Sequence, residues 1–256
     1  MPATALIWRA CCLLFLAPVV LQAQALETET TRLLPKHGLE IGTNFEYQFS
    51  SEGRESALPV AITYGLTNTW ELLVEPVPHT AIRPNGGARA TGLGDLEITI
   101  THRFLSETPG RPALALAGEV KLPTAESRVI GSDLTDYTAY LIGSKRLGRL
   151  DLHANLGYTI LGKPAGLGLQ NVANFAIGGM LDLGPKTRGF AEILGTTSAG
   201  GNGPENSSAP EVGGGELSGT IGLGRNVGQS LFLTLGMSYD NSGALLLRPG
   251  FTWRLH

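Results

Sequence analysis

From residue 38 onward the chain alternates apolar and polar side chains, with Gly, Asn, Pro or Asp at nearly every break. Leu150, Asp151, Leu152, His153, Ala154, Asn155, Leu156, Gly157 and Tyr158 form the clearest run. Successive side chains on a strand point to opposite faces, so this pattern makes one oily face and one polar face. A soluble sheet hides its oily face beneath a second layer, and no helical periodicity supplies one here. A sheet closed on itself, oily side out in lipid, satisfies both faces and leaves no backbone group unpaired. The expected fold is therefore all-β: a single closed antiparallel transmembrane β-barrel of about twelve strands.

The front of the chain agrees with that address. Residues 1–25 read as a cleaved signal peptide: an apolar run from Leu13 to Leu21, then the small-x-small site Ala23-Gln24-Ala25. Both cysteines, Cys11 and Cys12, lie within it, so the exported part has no disulfide to lean on. Residues 26–37 read as a loose N-terminal periplasmic lead and 38–256 as the outer-membrane barrel. The localisation expected is the bacterial outer membrane.

Strands are expected near 38–50, 57–65, 69–78, 92–105, 112–123, 135–147, 150–162, 171–183, 188–198, 212–225, 230–239 and 244–255. Most are long enough for a tilted crossing of the hydrocarbon layer. With both termini periplasmic, the short connections (66–68, 106–111, 148–149, 184–187, 226–229) fall on one side. The three longest (79–91, 124–134, 199–211) fall on the other, with 51–56, 163–170 and 240–243. That sorting is usual for outer-membrane barrels. Aromatic residues, notably Phe45, Tyr47, Phe49, Trp70, Tyr158, Phe251 and Trp253, are placed for girdles at the membrane interfaces.

An outward apolar face turns the charges inward. The lumen-lining and selectivity residues expected are Glu40, Glu46, Glu71, Glu75, Glu97, Arg103, Glu119, Lys121, Arg146, Asp151, His153, Arg248 and Arg254, with Asp95 beside them. A two-residue turn at Gly148-Arg149 sets Arg146 opposite Asp151. The next hairpins set Glu97 opposite Lys121. Barrel closure pairs Glu40 with Arg254 and Glu46 with Arg248. Lys145 falls on the outward face, close enough to a periplasmic turn for its head to snorkel.

No enzyme is expected. Thr196-Thr197-Ser198-Ala199-Gly200 lacks the first Gly of a hydrolase elbow. Gly222-Leu-Gly224-Arg-Asn-Val-Gly228 has the wrong spacing for a dinucleotide loop. Carboxylate pairs such as Glu71 with Glu75 belong in any wet lumen. No metal motif occurs and no cofactor is expected. With 22 acidic against 19 basic residues, nucleic acid is not an expected partner. Expected partners are outer-membrane lipids and lipopolysaccharide, the barrel-assembly machinery during biogenesis, and a small-molecule solute. Arg83 and Arg89, in the 79–91 connection, are placed to meet lipopolysaccharide phosphates.

Several segments carry a family resemblance. Gly92-Leu-Gly94-Asp95-Leu96, Glu119-Val-Lys121-Leu-Pro123-Thr124, Asp133-Leu-Thr-Asp136-Tyr137 and Asn155-Leu-Gly157-Tyr158 resemble the outer-membrane transporters named for the meta-pathway of phenol degradation. That family is similar to the hydrophobic-compound channels of the outer membrane. The resemblance implies passive uptake of small, often aromatic or hydrophobic, molecules. Three other readings stand beside it: a non-conducting structural barrel, a lipid-modifying outer-membrane enzyme and a soluble all-β periplasmic protein. The final residue, His256, departs from the aromatic terminus usual in such barrels.

Overall fold

The computed structural model describes residues 25–163, 169–200 and 215–255; residues 1–24, most of the expected signal peptide, and His256 lie outside them. Strands are β1 (Leu39–Asn44), β2 (Glu46–Phe49), β3 (Gly53–Ala57), β4 (Val60–Gly65), β5 (Trp70–Glu75), β6 (Thr80–Pro84), β7 (Ala90–Gly92) and β8 (Leu96–Leu105). They continue as β9 (Ala113–Leu122), β10 (Asp136–Leu147), β11 (Leu150–Ile160), β12 (Val172–Asp182), β13 (Thr187–Thr196), β14 (Leu217–Val227), β15 (Leu231–Asp240) and β16 (Leu245–Leu255). Twelve of them close a ring, β1-β4-β5-β8 and then β9 to β16 in order, sealed by β1 against β16. Every pairing in the ring is antiparallel.

The other four strands form an annex, β2-β3-β6-β7, that grows from the outer end of β16. Here the structure differs from the sequence reading, which left 51–56 and 79–91 as loops; they hold β3, β6 and β7. Proline explains the split. Pro59 separates β3 from β4, and Pro76 and Pro78 separate β5 from β6. A proline has no N–H for the ladder and breaks the pairing where it stands. Pro249 lies where β16 changes partner from β1 to β2.

Burial is inverted relative to a soluble protein. Leu156 and Leu235 are 65% and 61% exposed, while Asp151, His153, Arg248 and Arg254 are all below 10%. The oily face therefore points away from the molecule and the charges point into it. Aromatic rings mark both rims: Trp70 stacked on His102 at 4.2 Å near the short turns, and at the other end a row in which Tyr47 lies between Phe45 and Phe49. The hairpin register at Leu147–Leu150 is set by Gly148, whose φ of 60° suits a two-residue turn. Lys145 faces outward, and its ammonium donates to the carbonyls of Thr108 and Pro109 at 2.6 and 3.1 Å.

The largest departure concerns residues 26–37. They are not a loose lead. They run through the barrel as a strap, with Leu26, Thr28, Thr31 and Leu34 each less than 10% exposed. The strap's backbone donors and its single arginine meet inward carboxylates and hydroxyls of the barrel wall.

Candidate functional site

The strap and the inward faces of the strands enclose a cavity of about 650 Å³. Eight of the expected lumen residues line it: Glu40, Glu46, Glu71, Glu75, Glu97, Glu119, Arg248 and Arg254. Glu27, Glu29 and Arg32 of the strap and Glu216 of the wall join them, giving nine carboxylates against three guanidiniums. Arg103, Arg146, Asp151 and His153 are not on the cavity wall; they form a layer nearer the short turns, around Thr31 and Arg32 of the strap. Lys121 sits toward the outer end with Asp95 and Asp136.

Strand register fixes the pairs. Glu40 lies opposite Arg254 and is ion-paired to it. Arg248 reaches Glu46 at 3.3 Å and Glu27 of the strap at 2.6 Å. Arg146 lies opposite Asp151 at 3.8 Å and also bonds Asp182. Glu97 lies opposite Lys121 as expected. The ammonium, however, goes to Asp136, the residue opposite Lys121 on its other side.

Four anchors hold the strap. At its N-terminal end the Glu192 carboxylate accepts from the backbone N–H groups of Glu27 and Thr28 at 2.9 and 3.0 Å, and from the Thr28 hydroxyl at 2.9 Å. Ala25 and Leu26 fill an apolar patch of the lumen wall made by Met180, Phe190 and Phe232. Mid-strap, the Thr31 N–H donates to Ser144 Oγ at 3.0 Å, and that hydroxyl bonds His153 Nδ1 at 2.9 Å. The Asn155 amide, turned so that its oxygen meets an N–H, bonds both backbone groups of Glu29.

The third anchor is ionic. Arg32 forks onto Asp151 at 3.2 and 2.7 Å and reaches Glu107 at 2.6 Å. Burial works to raise the Glu107 carboxyl; the Arg146 N–H, the Arg32 guanidinium and Lys145 outweigh it and hold it below the usual carboxylate range. Arg103 adds a bond to the Thr31 carbonyl at 3.1 Å. At the fourth anchor, the Leu34 N–H donates to Glu71 at 2.6 Å, and His37 N–H to the Gly65 carbonyl at 2.7 Å.

The sequence reading missed Glu107, Asp182, Arg188 and Glu192 and the whole strap. Arg188, Phe190 and Glu192 recur at every second position of β13 and share the inward face. Phe190 in the middle disguised that face as an apolar one. Nothing in 26–37 marks it as a lumen segment, because its bonds run mostly through backbone N–H groups.

No protein-family model matches the chain, and no curated protein matches it by sequence. Solved structures do match in fold. An outer-membrane channel from Pseudomonas putida F1 superposes with a TM-score of 0.70 at 12% identity, covering 87% of this chain and 97% of that one. The KdgM porin in complex with disordered oligogalacturonate gives 0.58 at 9% identity, covering 85% and 99%. The NanC porin gives 0.58 at 11% identity, covering 84% and 100%. At such identities the likeness is one of fold: a closed antiparallel β-barrel of the outer-membrane type.

Proposed function

We propose that this chain is a bacterial outer-membrane channel that admits small solutes passively, without a cofactor and without chemistry of its own. The observation that carries the reading is a closed barrel, apolar side out, around a carboxylate-rich cavity crossed by its own N-terminal strap. The channel and porin folds it superposes on support it, as does the sequence resemblance to the meta-pathway transporters. Its lumen disfavours a polyanion such as the oligogalacturonate bound to KdgM, because nine glutamates outnumber three arginines on the cavity wall. Neutral and cationic organic solutes are the favoured class.

The strap gives the rival reading its one support. A lumen occupied by its own chain suits a structural barrel that conducts nothing. Planar-bilayer recording separates the two when the intact chain is compared with one lacking residues 26–33. A channel with a movable strap shows rare openings that become long-lived on deletion. No conductance in either protein overturns the channel reading.

A further inference from the structure

The outward face of the annex carries a row of cations with no counter-charge. Arg54 on β3 lies directly opposite Arg83 on β6, and Phe49 on β2 lies directly opposite Arg54. Arg89 immediately precedes β7, one step beyond the Ile82–Ala90 pair, and so stands next to Arg83 on its other side. All three arginines are exposed. Among the described residues none of them has an ion pair. The nearby acids, Glu52 in the β2–β3 turn and Glu55 on the opposite face of β3, are not bonded to them.

Like charges directly opposite across a strand pair destabilise it. The fold nevertheless builds this contact closely. Gly53, at a φ of 153°, brings β3 so near β6 that a Cβ there would lie 2.5 Å from the Arg83 carbonyl oxygen. The face is the lipid-side one. Tyr47, two residues before Phe49, is opposite Leu247, itself on the outer wall, and the Tyr47 and Phe49 rings meet edge-to-face at 4.5 Å. Aromatic rings of this kind settle at headgroup depth.

We infer that Arg54, Arg83 and Arg89 form a binding site for the phosphates of an outer-leaflet glycolipid, with Phe45, Tyr47 and Phe49 against its acyl chains. Neighbouring strands are about 4.8 Å apart, so a tetrahedral phosphate spans two adjacent guanidiniums. Each guanidinium offers a planar fork matched to phosphate oxygens. An anion between the arginines converts their repulsion into attraction and holds the annex, whose last strand is β7, against the membrane. This site rests on the outer-membrane reading but not on conduction.

Native mass spectrometry of the purified, folded barrel tests it, with diphosphoryl lipid A, lipid A stripped of both phosphates, and inorganic phosphate as probes. Folding is scored separately by heat-modifiable electrophoresis. The triple variant R54A/R83A/R89A is expected to bind diphosphoryl lipid A at least about tenfold more weakly than wild type. Stripped lipid A should bind wild type and variant alike. The triple lysine variant, which keeps the charge and loses the fork, should fall between them. Equal binding of phosphorylated and stripped lipid A by the wild type overturns the site even if no variant folds. Displacement of lipid A by an equal concentration of inorganic phosphate assigns it to a free anion instead. A wild type that shows no heat-modifiable barrel fails the outer-membrane reading, and that outcome is visible before any lipid is added.

Discussion

Replacing Arg32 by alanine removes the ionic anchor of the strap while leaving the other three. The guanidinium makes a forked contact with Asp151 and a further one with Glu107. Asp151 is 4% exposed, and the Arg146 guanidinium stands farther from it, at 3.8 Å. Breaking a buried ion pair by deleting one partner costs about 3–5 kcal/mol. Arg32 is not fully buried, its side chain being 24% exposed, and lumen water can reach the vacated carboxylates, so the figure must be discounted. A loss of about 2 kcal/mol in strap docking remains, which multiplies the undocked population about thirtyfold. Hydrogen exchange reads that population directly. The N–H groups of Thr28 and Thr31, bonded to Glu192 and Ser144, should lose about thirtyfold in protection. Amides of the β10–β11 hairpin should not change. Adding Asp151→Asn should cost less than the sum of the two single changes, because they share one contact. The reasoning fails if strap protection is unaltered, or if it falls no further than that of β10 and β11.

Charge selectivity should follow the cavity wall: Glu71→Gln with Glu75→Gln, read as reversal potential under a salt gradient in the strap-deleted barrel, should reduce cation preference by about twofold or more. Acid should loosen the strap, since Glu107 is held below its ordinary value of 4.5. A lowered carboxylate contributes docking that is present above that value and lost as pH falls through the lowered one, so strap exchange should accelerate only on acidification below the ordinary range. Gly224→Ala should lower the temperature of the heat-modified gel shift, at a cost of about 1–3 kcal/mol, because the new methyl meets the Phe232 ring, which is fully buried.

Much of the barrel was legible because period-two alternation carries both strand and orientation. The runs at 135–147 and 150–162 read correctly down to the Arg146–Asp151 pair, since a two-residue turn leaves only one register. The same logic placed Glu40 opposite Arg254 across the closure. The annex was illegible because Ser51, Gly53, Pro84, Asn85, Gly86 and Gly87 mark 51–56 and 79–91 as loops, and the short strands β3, β6 and β7 lie between those turn residues. Arg188 and Glu192 were hidden by Phe190, an inward ring whose role is to receive Leu26 of the strap. The strap itself is bound through main-chain donors, which every sequence has, and only the folded wall shows where they are met.

The orientation of the two faces is tested most directly by nitroxide labels at single cysteines from 152 to 157 in the barrel reconstituted in bilayers. Collision with oxygen should be high at 152, 154 and 156 and low between them, in step with lipid contact. Collision with a water-soluble nickel chelate should be low at all three. The opposite phase, with nickel reaching Leu156 and oxygen concentrated at His153 and Asn155, would place the apolar wall in water and contradict the account.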